Sequence, residues 1–282
     1  MSNDSSFNKV DYTLHTESQF TVFVASTPRH LYQSIALAFQ EITTSIPILI
    51  VYGIEGGTSL LDVLEDKQFS PFTHIEFIEQ GADSSYKKVL DFSQIRSRID
   101  ELITMYKPNK VFVGNDFKPI SQRILYRAKI ENPKCIAFYV EDGTASYFRF
   151  EGKMQALSKR LEGRIKMVLY GRWFDRPHVI GTSKYIDKCM FSYPTLILKG
   201  YEKSVVDRFP SESFLDSRVQ AVVNRICEIN GFDFSRLEIC SALVILPRIK
   251  EIDRYYGSIK ALFDFLNNLK DSGHTVAIKY HP

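Results

Sequence analysis

The sequence predicts an α/β protein built on parallel sheets and organised as two Rossmann-like halves. Three observations predict it. Apolar runs of strand length recur without polar alternation, as in "FTVFVAS" and "PILIVYG". Strands read this way when helices cover a parallel sheet on both faces. Stretches with apolar residues at helical spacing separate those runs, giving the β-α-β order of a parallel sheet. After residue 210 the same order starts again.

The elements follow in chain order. Residues 1–18 are polar and read as a flexible lead-in. Residues 20–26 form an all-apolar strand, and 28–42 a helix with Thr27 as N-cap and Pro28 in its first turn. A second strand covers 47–53, and Gly56 and Gly57 open a short helix at "SLLDVLED". "HIEFIEQ" at 74–80 alternates as a strand does. Ile95, Ile99, Leu102 and Ile103 share one face of a helix over 92–106. Strands at 110–116 and 134–143 flank a helix at 119–130. The next stretch is less regular: 151–172 predicts a basic helix, and "DKCMFSYPTLIL" one or two strands. Then come a helix (216–230), a strand (240–248), a helix ending at Gly273 (255–273) and a strand (274–282). This divides the chain into a domain of residues 19–210 and the start of a second at 211–282. Two parallel strands bury too little to stand alone, so the second half either packs on the first as it stands or is incomplete; the expectation favours a chain that continues past Pro282.

Composition narrows the function classes. With 44% hydrophobic and 24% charged residues, the 282-residue chain is globular, and a net charge of +3 gives no argument for nucleic acid. Cys135, Cys189, Cys227 and Cys240 are widely spaced with no CxxC pair, which predicts free thiols in a reducing cytoplasm and neither zinc nor a disulfide framework. The N-terminus lacks a signal-peptide pattern, and no apolar stretch reaches the ~18 residues of a membrane span. Residues 151–172 interleave Lys153, Lys159, Arg160, Arg164, Lys166 and Arg172 with apolar positions. That pattern suits a helix packed on its domain with a solvated basic face, or peripheral contact with an anionic membrane.

Ligands of such folds sit at the C-terminal ends of the strands. Three polar strand tips fall there: "STPRH" (26–30), "GND" (114–116) and "EDG" (141–143). Glu141 and Asp142 follow an apolar strand, and Gly143 permits a tight turn beside a ligand. A carboxylate in that place can take a proton from a sugar hydroxyl. Thr27, Arg29 and His30 open the first helix, a ready anion site, where Arg29 either meets an acceptor carboxylate or belongs to a solvated first turn. Asn115 and Asp116 line the same edge and are candidates for acceptor contact. In the second half, His281 and Pro282 end a strand. A histidine there can bind a phosphate and assist its departure, and a proline suits the first turn of a following helix.

Together, Glu141-Asp142-Gly143 and His281-Pro282, about 140 residues apart, resemble the bacterial sialyltransferases, whose families carry a D/E-D/E-G motif and an HP motif at such strand tips. Within them the chain is similar to the group of lipooligosaccharide sialyltransferases and capsule polysialyltransferases. "TPRHLYQSIALAF" resembles that group's opening βα unit. The resemblance implies a GT-B-like fold, with two Rossmann-like halves facing across a cleft: an acceptor-side N-terminal domain and a nucleotide-binding C-terminal one. It implies inverting transfer of sialic acid from CMP-sialic acid to a glycan hydroxyl of a lipooligosaccharide or capsular polysaccharide. Asp142 would be the general base and His281 the group on the CMP phosphate, with Glu141, Gly143, Pro282, Thr27, Arg29 and Asn115 in substrate contact. No metal or other cofactor is implied, and the setting would be cytoplasmic, extending to the inner membrane surface. The families' Ser/Thr-rich motif, which follows HP, has no counterpart in residues 1–282. Two other readings stay open: a GT-B enzyme using another nucleotide sugar, and a Rossmann-like protein that binds a glycan or partner without turnover.

Overall fold

The structure is a computed structural model. It describes residues 19–54, 58–78, 85–143, 147, 167, 169–175, 177, 179–197, 201, 205–229, 231, 241–245 and 257–279. The chain divides into two compact units, Met1–Val223 and Asn224–Pro282.

The first unit is a parallel sheet with helices between its strands. In chain order it holds β1 (Phe20–Ala25), α1 (Pro28–Glu41), β2 (Ile46–Tyr52), α2 (Thr58–Glu65), β3 (His74–Ile78), α3 (Ser85–Tyr106), β4 (Lys110–Val113), α4 (Pro119–Glu131), β5 (Ile136–Val140), β6 (Lys188–Phe191) and β7 (Val205–Arg208). The seven strands lie in the order β3-β2-β1-β4-β5-β6-β7, each pair parallel. The order reverses between β1 and β4, the switch point at which such sheets open a crevice for ligands.

Register and side-chain alternation explain the core. Phe23 pairs with Phe112, and Phe112 with Phe138, so three rings share one face of the sheet. They stack at 5.0 and 4.5 Å between centroids. On the opposite face Val22, Val24, Ile48, Ile50, Val111 and Val113 pack with Ile99, Leu102 and Ile103 of α3 and Ile120, Ile124 and Leu125 of α4. Every residue of β1 and β2 after the first is buried, which is why those segments carry no polar alternation. Helix α1 starts as its sequence predicts. Thr27 is extended at φ −146°, and its side chain accepts the His30 amide at 3.2 Å. Pro28 follows in the first turn.

Several elements differ from the sequence expectation. Helix α3 begins at Ser85 rather than 92. "DKCMFSYPTLIL" forms one strand, β6, and then a 3-10 turn at Pro194–Leu196, because Pro194 has no amide to continue a ladder. Strand β7 was not expected. It is a four-residue edge strand, "VVDR", with no buried residue, so its sequence carries none of the apolar signal of the interior strands. Of the predicted basic helix, residues 151–166 lie outside the described residues, while Met167, Leu169 and Tyr170 are helical.

After β7, a 3-10 segment (Ser211–Leu215) leads into α5 (Ser217–Ile229). Phe214 stacks on Tyr32 at 4.7 Å, and the Arg218 guanidinium lies 4.8 Å from the centre of the Phe39 ring. The start of α5 thus packs on α1. The second unit contains β8 (Ala242–Ile245), α6 (Ile259–Asp271) and β9 (Val276–Lys279), with β8 and β9 parallel. Val244 and Leu262 are buried there, with Leu266, Leu269 and Val276 against them. Ser258 caps α6 by accepting the Ala261 amide at 3.0 Å. Strand β9 ends at Lys279, and His281 and Pro282 lie outside the described residues.

Candidate active site

The three polar tips predicted from sequence converge at the C-terminal ends of β1, β4 and β5. The sheet order places β1 and β4 side by side, with β5 next. Each strand ends before its polar residues, so Ser26, Gly114 and Glu141 are the first residues of their loops.

The adjacent acids Glu141 and Asp142 have opposite surroundings. The Glu141 side chain is 4% exposed and that of Asp142 24%. The Glu141 carboxylate accepts hydrogen bonds at 2.8 Å from Arg29 Nη2, from the Ser192 amide and from Ser192 Oγ, and a further one from the Tyr147 hydroxyl. Its backbone is held as well: Gln33 Nε2 donates to its carbonyl at 3.1 Å, and its amide donates to the Met190 carbonyl at 3.1 Å. Burial, and next the bond to Glu141, push the Tyr147 phenol up to about 12, so it stays a donor. Glu141 therefore ties α1, β5 and the loop after β6 together.

Asp142 faces His30. Its Oδ1 lies 2.9 Å from His30 Nε2, and its amide donates to the Tyr139 hydroxyl at 3.1 Å. His30 stands in the first turn of α1 and is 2% exposed. Its Nδ1 receives the Ser26 amide at 3.4 Å and lies 3.2 Å from Ser26 Oγ. Gly114 makes room for the ring: a Cβ built there would stand 2.2 Å from His30 Cδ2. Gly143 follows at φ +62°, a left-handed conformation that suits glycine. A Cβ on it would lie 3.4 Å from the Arg29 guanidinium.

The remaining predicted residues fall as follows. Thr27 is the N-cap of α1, its hydroxyl used by the helix. Arg29, expected to face an acceptor carboxylate, meets Glu141, with half of its side chain exposed. Asn115 Oδ1 accepts the Phe117 amide at 3.0 Å in a local turn. Asp116, expected at the acceptor edge, is fully buried and accepts the amides of Gly181 and Ser183 at 2.6 and 2.8 Å. It fastens the loop after β4 to the segment before β6, and this corrects the expectation of acceptor contact. His281 and Pro282 are outside the described residues.

Burial pushes the Asp116 carboxyl up to about 6, from an ordinary value of 3.8. A raised carboxyl binds its proton more tightly in the folded state, so its contribution to stability is fullest below 3.8 and declines as pH rises through about 6. An Asp116→Asn variant removes this dependence. From pH 4 to pH 8, its urea-unfolding free energy should gain on the wild type by about 2.5 kcal/mol. Parallel curves for the two proteins would contradict the assignment.

Sequence reasoning placed His30 at the first strand–helix junction as part of an anion site. The structure instead turns it inward to Asp142. Its signals were present but local: a serine four positions before the histidine, and a glycine after β4 at a place where no positive φ requires one. Tyr147 and Ser192, the other holders of Glu141, carried no signal. Among the described residues, no group of three or more His, Cys, Asp or Glu could hold a metal ion, and no helix is long and apolar enough to cross a membrane.

Comparison with known proteins bears on the family and the fold. The sequence profile of the alpha-2,8-polysialyltransferase family matches residues 15–282. No curated protein sequence matches the chain. Among solved structures, it is similar to the alpha/beta-galactoside alpha-2,3-sialyltransferase of the luminous marine bacterium Photobacterium phosphoreum. The TM-score is 0.54 at 15% identity, over 95% of this chain and 76% of that one. A Listeria monocytogenes protein described as a UDP-N-acetylglucosamine 2-epimerase gives 0.46 at 11% identity, over 95% and 63% of the two chains. The UDP-GlcNAc 2-epimerase of Neisseria meningitidis, solved with UDP-GlcNAc bound, gives 0.44 at 12% identity, over 94% and 72%. At such identities the likeness concerns fold, and with the Photobacterium enzyme the chain shares a Rossmann-like, GT-B-type fold.

Proposed function

Because the chain belongs to the alpha-2,8-polysialyltransferase family, and is thereby a sialyltransferase-type glycosyltransferase, we propose that it moves sialic acid from CMP-sialic acid to a glycan hydroxyl with inversion. The acceptor is a lipooligosaccharide or capsular polysaccharide. The observation that carries this reading is the partly exposed Asp142 carboxylate at the tip of β5, next to a buried and fully bonded Glu141. Asp142 takes the proton of the acceptor hydroxyl as that oxygen attacks the anomeric carbon. The bond from that carbon to the CMP phosphate breaks, and CMP leaves with the electron pair. His281 neutralises the departing phosphate, so the reading requires no metal. Glu141 and Arg29 set the loop, and Gly143 lets the acceptor approach the backbone. The setting is the cytoplasm, with peripheral contact at the inner membrane; the buried Cys135, which is in no disulfide, supports a reducing compartment.

Titration calorimetry with CMP, UDP and GDP tests the donor, and product analysis after incubation with CMP-sialic acid and an oligosialic acid acceptor tests the transfer. CMP should bind and the acceptor should lengthen. Tight UDP binding without CMP binding would point to another nucleotide sugar, and no nucleotide binding to a protein without turnover.

A further inference from the structure

We infer that His30 is the positioning residue for the base: its Nε2–H, fixed in that tautomer by Ser26, holds the Asp142 carboxylate in place for proton transfer. The inference rests on the reading of Asp142 as base.

The tautomer follows from hydrogen-bond chemistry. The Ser26 amide can only donate, and it points at His30 Nδ1 at 3.4 Å. Nδ1 must then present its lone pair, and the proton of the neutral ring sits on Nε2. That nitrogen is 2.9 Å from Asp142 Oδ1, which accepts. The bond spans 112 residues of sequence and joins α1 to the loop after β5.

The ring is held at both nitrogens and at its backbone. Thr27 caps the His30 amide at 3.2 Å, which sets the backbone. Gly114 lies so close to the ring that a Cβ there would stand 2.2 Å from Cδ2, which leaves the imidazole no space to swing toward β4. Behind Nδ1, the Tyr52 hydroxyl neighbours Ser26 and lies 2.8 Å from Ser121 Oγ. Burial, opposed by Ser121 and Ser26, pushes the Tyr52 phenol up to about 12, so it remains a neutral member of this chain. A polar chain from Ser121 through Tyr52, Ser26 and His30 thus ends on the acid exposed at the strand tip. Removing a hydrogen bond to a charged group is worth about 1.5–3 kcal/mol, or about 10- to 150-fold in rate when the group acts in the transition state.

The test compares His30→Leu with His30→Gln, whose Nε2 reaches the place of the imidazole Nε2. His30→Leu should lower kcat by about 10- to 100-fold with the KM for CMP-sialic acid nearly unchanged. It should also move the acid limb of the kcat–pH profile upward, since a carboxylate that loses a donor to its charged form takes up a proton more readily. Titratable groups near Asp142 are its chain neighbour Glu141, the Arg29 bonded to Glu141, Tyr52, which feels the Asp142 charge, and Tyr139, whose hydroxyl accepts the Asp142 amide; they are the same in both variants. His30→Gln should restore most of the rate and the wild-type limb. Equal rates in the two variants, or an unmoved limb in His30→Leu, would overturn the inference. Nitrogen NMR of the imidazole adds a readout independent of turnover: a proton on Nδ1 would overturn it as well. Failure of the underlying reading registers separately, as turnover that survives Asp142→Asn.

Discussion

Asp142→Asn is expected to cut sialic acid transfer by about 100- to 10,000-fold, the usual worth of a positioned general base, while CMP still binds. Asparagine keeps the shape of the side chain, and its Oδ1 can still accept from His30 Nε2, now 2.9 Å from the aspartate. What it loses is the ability to take a proton. The substitution therefore separates the chemistry from the scaffold. Stability should stay within about 0.5 kcal/mol of wild type, as for replacements that break no buried network. Steady-state kinetics with an oligosialic acid acceptor, CMP titration and urea unfolding together check the prediction. Undiminished kcat would remove Asp142 from the role of base.

Glu141→Ala is expected to do its damage elsewhere. It removes the acceptor for Arg29, for the Ser192 amide and hydroxyl, and for Tyr147, at a carboxylate only 4% exposed. Breaking one side of a buried, hydrogen-bonded ion pair costs about 3–5 kcal/mol. Arg29 is half exposed and can return to water, which puts the expectation at the lower end, about 3 kcal/mol. Glu141→Gln should lose less, since one amide oxygen still accepts while its NH2 group meets donors. Urea unfolding followed by tryptophan fluorescence reads this directly, because Trp173 is the one tryptophan and belongs to the same core as β5. A Glu141→Ala protein as stable as wild type would show that the four bonds contribute nothing net. Two neighbouring acids thus predict opposite phenotypes, one in turnover and one in stability.

Much of this was legible in the sequence because the interior of the sheet announces itself. Strands β1, β2, β4 and β5 are continuous apolar runs, and α1 and α4 carry proline in their first turns. The Glu-Asp-Gly tip was legible for the same reason: it follows an apolar run where ligands bind in such sheets. The edge was not. Strand β7 pairs on one side only and buries none of its residues, so its four residues resemble a loop. The role of Asp116 was hidden because a polar residue at a strand tip looks alike whether it meets solvent or, as here, the amides of Gly181 and Ser183. His30 was visible as a residue and invisible as a partner, since no local pattern links α1 to a loop 112 positions away.

The closeness of Gly114 to the His30 ring also bears on how the protein can change over generations. A side chain at position 114 would collide with the imidazole, and loss of the imidazole would remove the His30 hydrogen bond to Asp142. The two positions are therefore expected to vary together. Glycine at 114 can be relaxed only in a lineage that has already given up the ring at 30, and such a lineage must hold its acid by other means. Paired variation at these two positions, so far apart in the chain, is the trace that this contact should leave among its relatives.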